Sequence, residues 1–290
     1  MPKLKFQMWK IIFLIIFLPL NSCGQNPKNQ IKNVEQSIPD EPIIIKNQGL
    51  TIIERFNPPK GFKRVNVGVN EFGTFLRTLP LKPSGSVVKY YNGNIKSSNN
   101  VYCAVVDLPI GNRDLHQCAD AIIRLRADFL RKTDQINNIH FEFTNGFIAD
   151  YSKWIKGNRI QVRGKNVRWV PGGTPGDSDE KFWEYLEIVF SYAGTLSLSR
   201  ELEEVKITDM KIGDILIQGG SPGHAVILVD MVENIETGQK LVMLAQSYMP
   251  AQEIQILLNP LKTNNPWYEV KEGVILTPEW KFNSKDLKRF

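Results

Sequence analysis

The chain has 290 residues, 42% hydrophobic and 23% charged, with Lys+Arg 36 against Asp+Glu 30 and a formal net charge of +6. That composition excludes a disordered, collagenous or polytopic membrane protein. Lys3, Lys5 and Lys10 supply three of the six excess charges, so the remainder is too small to argue nucleic-acid binding, and three cysteines exclude a multi-disulfide framework or a zinc ribbon.

Residues 1–22 have the parts of an export signal: the three lysines, the apolar run Ile11 to Leu20, and small residues before Cys23. Ten apolar residues would span about 15 Å as a helix, roughly half a bilayer core, which argues for a removable signal rather than a membrane span. Leu20-Asn21-Ser22-Cys23 resembles a lipobox, which implies lipidation of Cys23, the membrane as a partner through that lipid, and a place in the bacterial cell envelope. Residues 23–50 are rich in Asn, Gln, Lys and Pro and read as a flexible tether.

A single α+β domain is expected over residues 51–290. Val87 to Tyr91 and Val101 to Leu108 read as an antiparallel strand pair, joined through the turn at Asn92-Gly93. Leu115, Cys118, Ile122, Leu125 and Phe129 recur at helical spacing and predict a helix over 115–131, capped by Asn112 or Asp114. Ile139 to Phe143 alternates as a strand, and Gly157 to Asp179, with Arg159, Arg163, Lys165 and Arg168, reads as a long surface excursion. A second helix is predicted over 178–193 with Asp177 or Ser178 as cap, and a shorter one over 198–205. The last third consists of short apolar runs separated by turn residues, which predicts an antiparallel sheet or partial barrel carrying packed helices.

The chemistry concentrates between Gly213 and Tyr248. A strand opens with Gly213-Asp214, Gly219, Gly220 and Gly223 form a glycine-rich turn, and His224 starts the next strand; a third strand ends in Gln246-Ser247-Tyr248. This stretch resembles the second half of papain-like cysteine hydrolases of the NlpC/P60 and CHAP kind. The resemblance implies His224 as base and then acid, Gln246 orienting its ring, and Cys118, near the start of an earlier helix, as nucleophile. Ninety-six positions separate Cys118 from Asp214, which implies a large insertion. Two other readings of Cys118 stay open, a buried core residue and a disulfide with Cys103. His116 is expected in solvent, and His140 has no evident partner. No cofactor is expected, and no metal, because His224 with Asp214 or Asp230 offers too few ligands. Tyr151, Trp154, Trp169, Trp183 and Trp267 read as core before groove, and Glu142 with Asp150 lacks glycosidase spacing evidence.

Over the folded part, Cys118-Ala119-Asp120-Ala121, Arg124-Leu125-Arg126-Ala127, Tyr192-Ala193-Gly194-Thr195, the glycine turn with His224, and Gln246 to Gln252 resemble the bacterial lipoprotein family of domain of unknown function 4846. Two functions follow as expectations. One is an envelope-anchored cysteine hydrolase acting on amide bonds in peptidoglycan or peptides; the other is a non-catalytic lipoprotein binding a glycan or peptide in the same cleft.

Overall fold

The apolar runs of the last third build the centre of the fold. In the computed structural model, which describes residues 44–97 and 100–290, nine strands form one sheet: β1 (Phe62–Arg64), β2 (Tyr102–Val105), β3 (Glu203–Glu204), β4 (Ile215–Gln218), β5 (His224–Asn234), β6 (Lys240–Gln246), β7 (Gln255–Leu257), β8 (Trp267–Glu269) and β9 (Leu287–Arg289). Their order is β2-β7-β6-β5-β4-β9-β3, with β1 pairing the far end of β5 and β8 the near end of β6, and every pairing is antiparallel. The predicted α+β class and antiparallel sheet are therefore observed.

β5 is buried over nine consecutive residues because both faces of the sheet are covered. Ala225, Ile227 and Val229 enter the larger core beneath the helices, while Val226 and Leu228 enter a second core with Tyr268, Ile275 and Phe282. The register of β5 on β6 slips between Met243 and Leu244, so Val229 is the extra residue of a bulge. After it, Val232 rather than Met231 faces the larger core.

Among the described residues six α-helices accompany the sheet: α1 (Ile52–Arg55), α2 (Phe72–Arg77), α3 (Cys118–Lys132), α4 (Tyr151–Trp154), α5 (Asp179–Tyr192) and α6 (Thr195–Glu201). α3 lies against β5 and β6 and buries Ile122, Ile123, Leu125 and Phe129. Each such side chain contributes about 1.5–3 kcal/mol on leaving water. Arg131 and Lys132 sit at the negative end of its dipole. Among the described residues no helix is long and apolar enough to cross a membrane.

Several local expectations are corrected. The helix begins at Cys118, not Leu115, because the extended Gln117 caps it and donates its N–H to Asp120 Oδ2 at 3.0 Å. Tyr102–Val105 pairs with β7 rather than with residues 87–91, where Lys89 and Tyr90 form only isolated bridges. The excursion after Gly157 contains an ordered hairpin, Asn158–Arg163 against Asn166–Pro171. The short helix falls at 195–201 instead of 198–205. Ile44 to Leu50, read as the end of the tether, are bonded into the folded unit: Asn57 N–H donates to Ile44 O at 2.8 Å and Lys46 N–H to Arg55 O at 2.7 Å. The signal at 1–22, Cys23 and the tether up to residue 43 lie outside the described residues.

Candidate active site

The turn between β4 and β5 packs against the start of α6, and its glycines are required for that approach. A Cβ on Gly223 would lie 2.4 Å from Thr195 Oγ1 and 2.5 Å from Gly220 O, and one on Gly219 would lie 2.1 Å from Ser199 Oγ. The close neighbour of these glycines is therefore α6. The turn delivers His224 to the mouth of β5, where it lines a cleft of about 410 Å³ together with Cys118, Asp120, Thr195, Tyr248 and Trp280. Two residues 106 positions apart thus meet in one cavity.

His224 is held from behind by a chain of hydrogen bonds. Gln246 Nε2 donates to Glu279 Oε2 at 2.6 Å, which turns Gln246 Oε1 toward His224 Nε2 at 2.8 Å. Glu279 is in turn held by Lys96 Nζ at 2.7 Å. Because Gln246 presents its carbonyl oxygen, the network assigns the proton of His224 to Nε2 and leaves Nδ1 with its lone pair. Among the described residues Nδ1 has no hydrogen-bond partner, and no hydrogen bond joins it to the Cys118 sulfur. Tyr248 stands edge-on to the ring with centroids 4.7 Å apart, Trp280 lies at 5.3 Å, and Phe282 stacks at 5.9 Å. Burial pushes the His224 pKa down to about 4, in the same direction as the Lys96 charge, against the Gln246 hydrogen bond and the Glu279 charge.

Cys118 occupies the first position of α3, where the N–H groups of the opening turn have no intrahelical acceptor and the dipole favours a thiolate. Burial and then the neighbouring Asp120 push its thiol up to about 11, opposed by the backbone N–H groups of Ala119 and Ala225. Ala225 directly follows His224, so the sulfur sits beside the histidine strand. Asp120 is itself held well above the ordinary carboxyl range by burial. The resting cleft therefore contains a neutral thiol and a neutral imidazole. Base-assisted attack on a carbonyl is the chemistry that such a pair at a helix N-terminus can perform.

The remaining candidates separate clearly. Cys103 and Cys118 are both free thiols, so the disulfide alternative is not realised. Cys103 donates to Ile256 O at 3.6 Å, and burial pushes its thiol up to about 12. His116 is not solvated: it is fully buried ahead of the helix, edge-on to Phe190, and its carbonyl accepts the Ser247 hydroxyl at 2.9 Å. His140 is exposed at the start of a small hairpin. Tyr151, Trp154 and Trp267 are buried core residues. No group of three or more His, Cys, Asp or Glu among the described residues could hold a metal. Sequence reasoning missed Glu279 and Lys96, which lie in segments without periodicity far from the glycine turn.

Burial and the Arg124 charge lower the His116 pKa to about 3, so the folded protein keeps this ring neutral while the unfolded chain protonates near 6.5. Its contribution is present above that unfolded value and is lost as pH falls toward 3. In urea melts between pH 7 and 4, the stability of the parent relative to His116→Leu should drop by about 1.4 kcal/mol per pH unit below 6.5. Other titrating groups, Asp120 included, cancel in that difference.

No curated protein and no solved structure matches the chain. The match that does exist runs over residues 52–289, from the first turn of α1 to the last residue but one of the chain, and it spans every residue of the cleft; the protein belongs to the family described as Domain of unknown function (4846).

Proposed function

We propose that the cleft is a thiol-dependent acyl-transfer site of papain-like layout that hydrolyses amide bonds in peptides or peptidoglycan. The observation that carries this reading is the convergence, in one cavity, of a cysteine opening a helix and a histidine opening a strand, its ring bonded to an amide on the next strand. Cys118 Sγ would attack the carbonyl carbon while its proton passes to His224 Nδ1. First-turn N–H groups of α3 would receive the oxyanion, and the imidazolium would return the proton to the leaving amine before water releases the acyl group. The likeness of Gly213 to Tyr248 to NlpC/P60 and CHAP hydrolases supports the same assignment. The signal-like residues 1–22 and Cys23 support an envelope lipoprotein anchored through lipid, facing the periplasm or the cell surface.

The raised thiol pKa favours a second reading, a non-catalytic cleft that binds a glycan or peptide. Alkylation separates the two. For the hydrolase, the His224 imidazole takes the thiol proton as the sulfur attacks, so iodoacetamide should modify Cys118 at pH 7 faster in the parent than in His224→Ala, with the site mapped by mass spectrometry. Equal rates of modification in the parent and in His224→Ala would assign the cleft to binding.

A further inference from the structure

A cavity of about 1060 Å³ lies away from the thiol. It opens where the second half of α3, α2, the turn before β4 and Phe290 meet, and Arg126 stands two helical turns along α3 from Cys118. The Arg126 guanidinium lies 5.5, 5.7 and 5.2 Å from the ring centroids of Phe72, Phe129 and Phe290. All three rings lie within cation–π range of the guanidinium. Its N–H edge makes no hydrogen bond or ion pair among the described residues, although burial lowers its pKa.

The other charges of the lining do not supply the missing anion. Asp214 is bound by Arg289 at 2.6 and 2.8 Å, and Asp209 contributes to the field on the same Arg289. The Glu71 carboxyl packs over Gly68. Lys211 and Lys240 line the cavity, and among the described residues neither ammonium has an ion pair. What remains is a half-buried guanidinium with free donors, two unpaired lysines and an apolar wall.

We infer that this cavity binds an organic anion, a single carboxylate or comparable acid group on an apolar body, with the acid on the N–H edge of Arg126 and the body against the aromatic wall. A guanidinium fork matches a carboxylate in geometry as well as charge, and the cavity is of a size that encloses a small organic ligand. The inference is independent of the thiol site.

The probe is 8-anilinonaphthalene-1-sulfonate, an aromatic body with one acid group, followed by fluorescence and calorimetry on the folded protein. Saturable one-to-one binding is expected, displaced by decanoate and not by decanol. Arg126→Met keeps the stacking volume and should weaken binding about tenfold, the effect of losing one charge-assisted pair. Lys240→Glu, a charge reversal at the lining, should weaken it about threefold should Arg126→Met fail to fold. Cys118→Ser should leave it unchanged. Equal binding by a folded Arg126→Met, or by Lys240→Glu where Arg126→Met does not fold, or displacement by decanol as readily as by decanoate, would overturn the inference.

Discussion

Replacing His224 by alanine is expected to slow acylation of Cys118 about 10²- to 10⁴-fold, the usual worth of a positioned general base. The burst of p-nitrophenolate from p-nitrophenyl acetate reads this step without knowledge of the natural substrate, and Cys118→Ala should abolish it. The reactive pair is a neutral thiol with a neutral imidazole. The parent rate should therefore fall as His224 protonates near pH 4, well below the 6.5 of a free imidazole. Glu279→Gln tests the support behind the ring. Loss of the Glu279 charge removes a contribution that favours imidazolium, so the acid limb should move lower still. A glutamine there can also accept or donate, which releases the fixed orientation of Gln246 and should cost about 10- to 100-fold in rate. A merely structural Glu279 would change stability and leave the pH limb in place. No burst in the parent protein, with the same absence in His224→Ala, would end the hydrolase reading.

The parts of this site that sequence made legible are those with a local signal. Three glycines before His224 announce a tight turn, and an apolar run ending in Gln246 announces the adjacent strand. The bond between the two side chains is a diagonal contact across the antiparallel pair: the register that sets Ala245 against Ile227 leaves Gln246 two residues from His224 along β5, on the same face of the sheet. Leu115 continues the apolar rhythm of α3 upstream of its actual start at Cys118. The extended Gln117 and its bond to Asp120 override that rhythm. The hairpin after Gly157 carried a legible signal too, since Ile160 and Val162 alternate with polar residues before Gly164 and Val167 and Trp169 alternate after it. The density of arginines masked it. Glu279 and Lys96 belong to another class: a single acid before Trp280 and a single lysine in a polar loop acquire meaning only when the fold brings them together.

Asp230→Ala is expected to destabilise the protein by about 3–5 kcal/mol, the cost of leaving buried cations without their counter-charge. Asp230 is fully buried at the β5 bulge, where the extra residue turns it out of the regular alternation. Its Oδ1 accepts from Arg77 Nε at 2.5 Å and from the Met231 N–H at 2.8 Å, and its Oδ2 from Arg64 Nε at 2.8 Å. The arginines reach onward to backbone carbonyls, Arg77 to Val65 and Met231 and Arg64 to Phe56, so the three side chains pin β1 and α2 to the central strand. Arg77 is almost as buried as its partner and Arg64 is partly open, so the guanidinium of Arg77 is left largely dry and uncompensated once the carboxylate is gone. A domain stabilised by about 5–15 kcal/mol would lose a large share of that margin, read as a fall in the urea midpoint at unchanged slope. Arg64→Met should cost less than Asp230→Ala, because its cation can be removed without orphaning the buried one. The double variant Arg77→Leu with Asp230→Leu should recover part of the loss, since it removes both charges of the dry pair and leaves only the solvent-reaching Arg64. An Asp230→Ala midpoint equal to that of the parent would mean that water reaches Arg77 through β1, and that this edge of the sheet opens in the native protein.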